Sequence, residues 1–417
     1  MAWLSGYRFR KKIGITGQAG AGTDYQVPLT VHSGKWTSPT SFDDPDSAWN
    51  TETLIYDGNT TTSGYTFTHD HYLELILDSA IDTDTVRIYG QIVDLTPPGA
   101  YYDIEVDIDL FYGADWHNIF SGTIAKNTWV EKTNPAGIKS VTKARIKSNN
   151  ASYTTRIYEF EFEARAGAGK VWLWDYCTDF PNDIRFTDDD GETELDHWCE
   201  DLTADPAKFW IEVADDLDSN QDIYIYFGKS RASTASNGAN TFIQYHGAAT
   251  AKFLDALLSL GTQIRYRAKV MVLESTVNLW FGFSSTQDTN ANQIRIQPYT
   301  DSGQNQKYFR TFKNSAMTSM NEAPCPTVDT WAILDILYDT TSAHGYVDDD
   351  EIGAGSTTNL PTVDMGLFFR QGDAGDAKQD WSFIGKYVSP EPSVGTPGNQ
   401  EVNPVIIMHH RKMLEEE

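Results

Sequence analysis

The chain has few cysteines, few basic residues and no long apolar run, and each shortage closes off a class of protein. Only Cys177, Cys199 and Cys325 occur in 417 residues, too few for a disulfide scaffold and without the paired spacing of a zinc site. Whether Cys177 pairs with Cys199 stays open at this point. No stretch of about 18 apolar residues exists, so no membrane insertion is expected. Lysine and arginine number 32 against 59 aspartates and glutamates, a formal net charge of -27. Such a chain repels phosphate backbones and anionic bilayers, because nucleic-acid binding needs clustered cations that displace counterions. Nucleic acid is therefore not an expected partner. Also missing are a Ser/His/Asp or Cys/His nucleophile arrangement, a phosphate-binding loop and G-x-G-x-x-G after a strand. The opening "MAWLSGYRFRKKIGIT" enters strand-like alternation at once, leaving no apolar stretch of about 7 to 15 residues for a signal peptide. If Met1 is native, the chain is expected to stay in the cytoplasm until lysis or assembly.

What is abundant is aromatic and β-branched sequence. Aromatics make up 13% of the chain, and Gly- and Asn-rich turns recur between Val-, Ile-, Thr- and Tyr-rich runs. That texture predicts an all-β protein of antiparallel β-sandwiches of jelly-roll type. Single cores stop growing near about 250 to 300 residues, so several domains are expected. "YRFRKKIGIT" and "DYQVPLTVHSG" alternate with period two around the Gly-rich "GQAGAGTD" and read as a hairpin. From Lys35 to about Ala166 the loops turn Asp-, Thr- and Asn-rich, until "ARAGAGK" closes the unit like a linker. A second alternating series runs from Val171 to Tyr245, and a third from Ile264 onwards. "AKFLDALLSL" is the one stretch predicted to be helical. "VNPVIIMHHRKMLEEE" reads as a docking tail.

Motif order extends this reading. "YRFRKKIGI", "DYQVPLTVHSG", "DFPNDIRFTDDDGETELDHW", "KFWIEV" and "DIYIYFGKSRASTASNGANTF" together resemble the sandwich family catalogued as domain of unknown function 2341. Between its halves, "LIYDGNTTT", "HYLELIL", "LFYGADWHNI", "TKARIKS" and "IYEFEFEA" resemble a discoidin, or factor V/VIII C-type, galactose-binding sandwich. Beyond it, "AHGYVDDDEI" and "IGKYVSPEP" resemble laminin-G or concanavalin-like jelly rolls. The expected organisation is a discontinuous first sandwich over 1–34 plus 169–247, an inserted discoidin-like sandwich over 35–168, a concanavalin-like module over 248–395 and a tail over 396–417.

Carboxylates invite an enzymatic reading and then argue against it. Retaining glycanases on concanavalin folds place E-x-D-x-E or E-x-D-x-x-E on one strand to bring two carboxyls about 5 to 5.5 Å apart. Glu194, Asp196 and Glu200 form E-x-D-x-x-x-E, one residue too long, and they lie in the first sandwich. No catalysis is expected. "TDDDGET" and "VDDDEI" lack the ends of an EF-hand loop and read as hairpin turns. The discoidin resemblance implies a structural calcium ion (Ca2+) held by Asp57, Asn59, Thr62 and Glu159. The competing reading of that loop is an Asx-turn that caps itself.

Sugar-binding candidates come from aromatic and imidazole side chains. Trp36 and Trp49 lie in loop-like stretches where a ring could stack on a sugar, whereas Trp116 and Trp331 sit on alternating strands and are expected in the core. His69 and His71, two apart on an expected strand, face one side: with the neighbouring Tyr65 they line the rim that the discoidin resemblance implies, or they simply sit on an exposed strand face, which is the commoner case. The resemblances imply a surface-displayed, non-enzymatic protein that binds glycans or host-surface polysaccharide. Without a leader, it fits a virion component of a tailed virus, a fibre, receptor-binding or decoration protein, homo-oligomeric and docked to other virion proteins. A secreted lectin-like adhesin and a polysaccharide-degrading enzyme are the alternatives.

Overall fold

The computed structural model describes residues 2–404 apart from 97–98, 151, 258, 260–262, 275–276, 288, 301–304 and 372–376. Six antiparallel-rich sheets pair into three sandwiches, each around its own core. The protein is all-β, and among the described residues no helix is long and apolar enough to cross a membrane.

In the first sandwich, period-two alternation turns directly into burial. Phe9–Thr16 sends Ile13 and Ile15 inward, and Tyr25–His32 sends Val27, Leu29 and Val31 to meet them. Phe9–Thr16 pairs with Gln221–Phe227, and Tyr25–His32 pairs with Ala207–Val213. Lys170–Trp172 runs parallel to Tyr25–His32, in register with Thr30 to His32. Strands joined in parallel need a long crossover, and here the connection is the whole of residues 33–169. The chain thus leaves and re-enters at neighbouring strands.

That excursion is the second sandwich. One sheet carries Ile104–Tyr112, Lys139–Ser148 and Tyr72–Thr83, and the other carries Thr85–Asp94, Thr154–Glu163 and Gly64–Thr66. The third sandwich sets a sheet centred on Gln263–Val272 against one containing Gly366–Arg370, Trp280–Ser284, Gln293–Tyr299, Gln306–Lys313 and Ala316–Glu322. An aromatic cluster of Trp198, Trp210, Phe242, Trp381 and Phe383 joins the first and third sandwiches.

Four expectations need correction. The C-terminal segment is part of the first sandwich, because Ser393–Val394 and Gln400–Val402 both pair with Phe9–Thr16, and Arg10 binds Glu401 at 2.8 Å. Residues 405–417, where the docking motif was expected, lie outside the described residues. "AKFLDALLSL" is not a helix at its start, since Phe253–Leu254 is an edge strand against Phe369 and Phe368. Trp331 is 38% exposed because Ala332, Leu334 and Ile336 take the inward phase of its strand. Trp116 is half-buried on the outer strand Asp115–Ile124, packed on Phe111 and Arg145.

All three cysteines are free thiols, so Cys177 and Cys199 are not bridged. Cys177 donates to the Asp183 carboxylate, and burial drives its pKa upward.

Candidate functional site

The second sandwich is polar in its layout: one end faces the first sandwich, and the other points away from it. Asp82 and Ala166 bridge at the near end, where Arg165 N donates to Asp82 O at 2.9 Å. Thr85–Asp94 runs outward from there, and Thr154–Glu163 runs back, with Val93 opposite Thr154. Thr66 sits opposite Thr155, and Tyr102 folds back opposite Ile92. The loops that start at residues 67, 95 and 149 therefore leave the same far end.

This far end exposes Phe67, Leu95, Tyr101, Tyr102 and Tyr153, each between 39% and 62% accessible. Tyr102 and Tyr153 stack at 5.5 Å with 23° between ring planes, and Phe67 meets Tyr65 edge-on at 5.2 Å. Lone exposed apolar residues are ordinary, but a cluster on adjoining loops makes this end a candidate binding surface. Its underside is fixed by hydrogen bonds. Asp70 N donates to Ser148 O at 3.0 Å, Asn149 N donates to Glu105 O at 2.9 Å, and Lys126 N donates to the Asp103 carboxylate at 3.1 Å. Rigid aromatic rings on braced loops lose little entropy on binding.

The expected sugar-binding residues divide between two places. Tyr65, His69 and His71 belong to this end, but the histidines lie in the loop after Gly64–Thr66 and not on a strand. Each imidazole is taken by a neighbouring carboxylate, His69 by Asp70 at 2.6 Å and His71 by Asp46 at 2.9 Å. Trp49 cannot stack on a ligand, because it is 4% exposed in the core and donates through Nε1 to His71 O at 3.4 Å. Trp36 is at the opposite end, in a cleft of about 680 Å³ between the first and second sandwiches. Its ring is flanked by the Arg87 guanidinium at 4.3 Å and the Lys35 ammonium at 4.7 Å. The sequence marks the aromatic end only by the adjacent Tyr101 and Tyr102, a pair with no motif around it.

The acidic loop at residues 57–62 is brought against Glu159. Asn59 N donates to Asp57 Oδ1 at 2.9 Å and to Glu159 Oε1 at 2.6 Å, while the Thr62 hydroxyl donates to Asp57 Oδ2 at 2.6 Å. Asn59 turns its own side chain onto Thr61, the Asx-type cap. Glu159 is 1% exposed, and its Oε2 has no hydrogen-bond partner. Burial, with the Asp57 carboxyl beside it, pushes its pKa up to about 8. Two adjoining carboxyls, one buried with an orphaned oxygen, plus a hydroxyl and loop carbonyls form a hard-oxygen set that a divalent cation would neutralise. Among the described residues no group of three or more His, Cys, Asp or Glu could hold a metal ion, so carbonyl and hydroxyl oxygens would have to complete the set.

The three carboxylates with glycanase-like spacing have unrelated partners. Glu194 faces Arg185 at 3.7 Å, and Asp196 accepts from Asn240 at 3.3 Å. Glu200 accepts from Trp210 Nε1 at 2.8 Å and from Arg267 at 3.2 Å, at the contact between the first and third sandwiches.

The family described as a domain of unknown function (DUF2341) matches residues 180–257. No curated protein matches the chain. Among solved structures, sheep galectin-11 in complex with glycerol is 15% identical over 33% of this chain and 98% of its own, with a TM-score of 0.26. Carbohydrate binding module CBM66 from Bacillus subtilis is 14% identical over 36% of this chain and 81% of its own, TM-score 0.23. CpGH89CBM32-6 produced by Clostridium perfringens is 14% identical over 31% of this chain and 94% of its own, TM-score 0.24.

Proposed function

We propose that the protein is a non-enzymatic glycan-binding protein whose binding surface is the outward end of the second sandwich. The observation that carries this is the exposed group of Phe67, Tyr101, Tyr102 and Tyr153, with Tyr102 and Tyr153 already stacked on each other. Aromatic faces pack against sugar C–H bonds, and the Asp70, Asp103 and Lys126 groups at their base offer hydroxyl partners. The discoidin resemblance of the insertion supports the same end. The separate partners of Glu194, Asp196 and Glu200, Arg185, Asn240 and the Trp210–Arg267 pair, support the absence of hydrolysis.

Calcium belongs to this reading as a structural ion. Asp57 and Glu159 would supply its charge, and Thr62 and Asn59 its neutral oxygens. When bound, the ion would neutralise the buried carboxyl and fix the loop that leads into Gly64–Thr66.

The test is glycan-array binding of the full chain. Tyr102→Ala and Phe67→Ala should each reduce bound signal at least tenfold, while Trp331→Ala, an exposed aromatic on the third sandwich, leaves it unchanged. Equal binding by all three variants would remove the surface from consideration. The setting we propose is the exterior of a tailed-virus particle, with further copies of the chain and other virion proteins as neighbours. Mass spectrometry of purified particles tests that setting independently of ligand binding.

A further inference from the structure

We propose that the outer face of the third sandwich is a second binding site, for a carboxylate-bearing saccharide, built on Arg295 and Arg310. It is separate from the aromatic end of the second sandwich, although it rests on the reading of the chain as a glycan binder.

In a chain with net charge -27, arginines are expected to find acids. Several do: Arg145 with Asp109 at 2.7 Å, Arg165 with Asp84 at 2.9 Å, Arg265 with Asp335 and Glu391, and Arg267 with Asp335 at 2.8 Å. Arg295 and Arg310 make no ion pair among the described residues. They stand in one row across the sheet, Gly282 opposite Arg295, Arg295 opposite Arg310, and Arg310 opposite Ser319. Their neighbours along each strand, Ile294, Ile296 and Phe309, fill the core, so the arginines occupy the opposite face.

Neutral groups hold the two cations side by side. Arg295 donates to the side-chain oxygens of Asn290 at 3.0 Å, Gln297 at 2.9 Å and Gln293. Arg310 donates to the same Gln297 Oε1 at 2.8 Å and to the Ser319 hydroxyl at 3.0 Å. Gln297 is turned to accept both because its amide nitrogen donates to Asn278 Oδ1 at 2.8 Å, which also accepts from Trp280 Nε1 at 2.9 Å. The Arg295 guanidinium lies 3.5 Å from the Trp280 ring centre, and that of Arg310 lies 4.1 Å from Tyr308. Arg295 is 1% exposed, and its Nε has no partner. Burial, then the nearby Arg310 and Arg370 charges, lower its pKa to about 8.

A buried cation without an anion, as Arg295 is, carries an unrepaid desolvation cost, and a second, half-buried cation fixed beside it favours any anion that reaches the pair. The face is open on one side, since Arg310 is half-buried and Ser319 and Asn321 beyond it are exposed. A planar carboxylate matches the guanidinium fork, and the tyrosine ring and amides around it suit saccharide C–H and hydroxyl groups. The protein's overall negative field works against a long polyanion, which favours isolated acidic units in a short or mostly neutral glycan.

Calorimetric titration of the full chain with trigalacturonate, galactotriose and sulfated galactotriose tests this. Trigalacturonate should bind with an affinity that falls as salt rises, and Arg310→Gln should weaken it at least tenfold. Arg310→Lys, which keeps the charge and loses the fork, should retain the fold and part of the affinity. Tyr102→Ala should leave trigalacturonate binding unchanged, so failure of this site and failure of the aromatic end are separable. Absence of trigalacturonate binding, binding indifferent to Arg310→Gln, or preference for the sulfated sugar would each overturn the assignment.

Discussion

Two histidines of the first sandwich are held as neutral rings, and that sets the sign of part of the acid response. His197 is 3% exposed between Phe186 and Phe209, and burial lowers its pKa to about 4; burial does the same to His32, stacked 4.8 Å from Trp172. In the unfolded chain each titrates near 6.5, so below that pH the unfolded state binds more protons. Their stabilisation is therefore complete above about pH 6.5 and is lost as pH falls toward 4. Glu212 acts oppositely, since burial and the Asp24 and Asp196 charges raise it to about 7. The His197 contribution is isolated by substitution. Urea unfolding at pH 7 and pH 4.5 should show His197→Gln less stable at pH 7 but losing about 2 to 3 kcal/mol less on acidification than the unsubstituted protein. An equal loss in both would show that His197 titrates normally. At the same scale, calcium added to metal-stripped protein should raise Tm, the gain in stability being about 2.7 kcal/mol at a hundredfold excess over Kd. Asp57→Ala should abolish the rise. The sequence placed Asp57, Asn59, Thr62 and Glu159 together only through the discoidin resemblance, and it could not show that Glu159 is buried with one oxygen unpartnered.

At the scale of strands and turns, alternation was readable where one phase alone was apolar and misleading where both were. "YQVPLTVH" has one apolar phase, and its inward residues follow from the sequence. "WAILDILYD" is apolar on both phases, so nothing in the pattern tells that Trp331 faces outward over Lys269. "AKFLDALLSL" fits helix and strand alike, and pairing with Phe369 and Phe368 decides it. The three-residue strand Gln400–Val402 rests on backbone pairing and Glu401, which leave no hydrophobic signature. The acidic turn after Arg185–Thr187 was readable as a turn because its chemistry is local. Asp190 accepts from Glu192 N at 2.7 Å, Thr193 N at 2.9 Å and the Thr193 hydroxyl at 2.6 Å. Gly191 adopts φ 77°, and a Cβ there would lie 2.8 Å from Arg10 Nη1 and 2.9 Å from Ala2 O. Gly191→Ala should therefore cost about 1 to 3 kcal/mol in chemical denaturation, from strain and from displacing Arg10. A neutral effect would mean the turn relaxes without disturbing the strand beneath it.

Across the whole molecule, the arrangement of the three sandwiches depends on contacts that no local pattern announces. Trp198 and Trp381 are 183 positions apart, yet their rings meet edge-on at 4.9 Å, with Phe242, Tyr245 and Phe383 around Trp198 at 5.5 to 5.9 Å. Polar groups close the same contact, Arg267 bridging Glu200 of the first sandwich and Asp335 of the third. A tryptophan buried this fully contributes about 3 to 5 kcal/mol relative to alanine, which is comparable to the total stability margin of a small domain. If this contact links the unfolding of the two sandwiches, its loss should separate them. Calorimetry of Trp198→Ala should show the third sandwich melting as a distinct transition, while Tyr102→Ala at the remote aromatic end leaves the profile unchanged. The glycan reading makes a further demand on this coupling. Because the aromatic end and the Arg295 face lie on different sandwiches, Trp198→Ala should preserve each site's affinity for a short ligand while reducing avidity for a polysaccharide that spans both. Retention of full avidity in Trp198→Ala would show that the two faces act independently of the joint between the sandwiches.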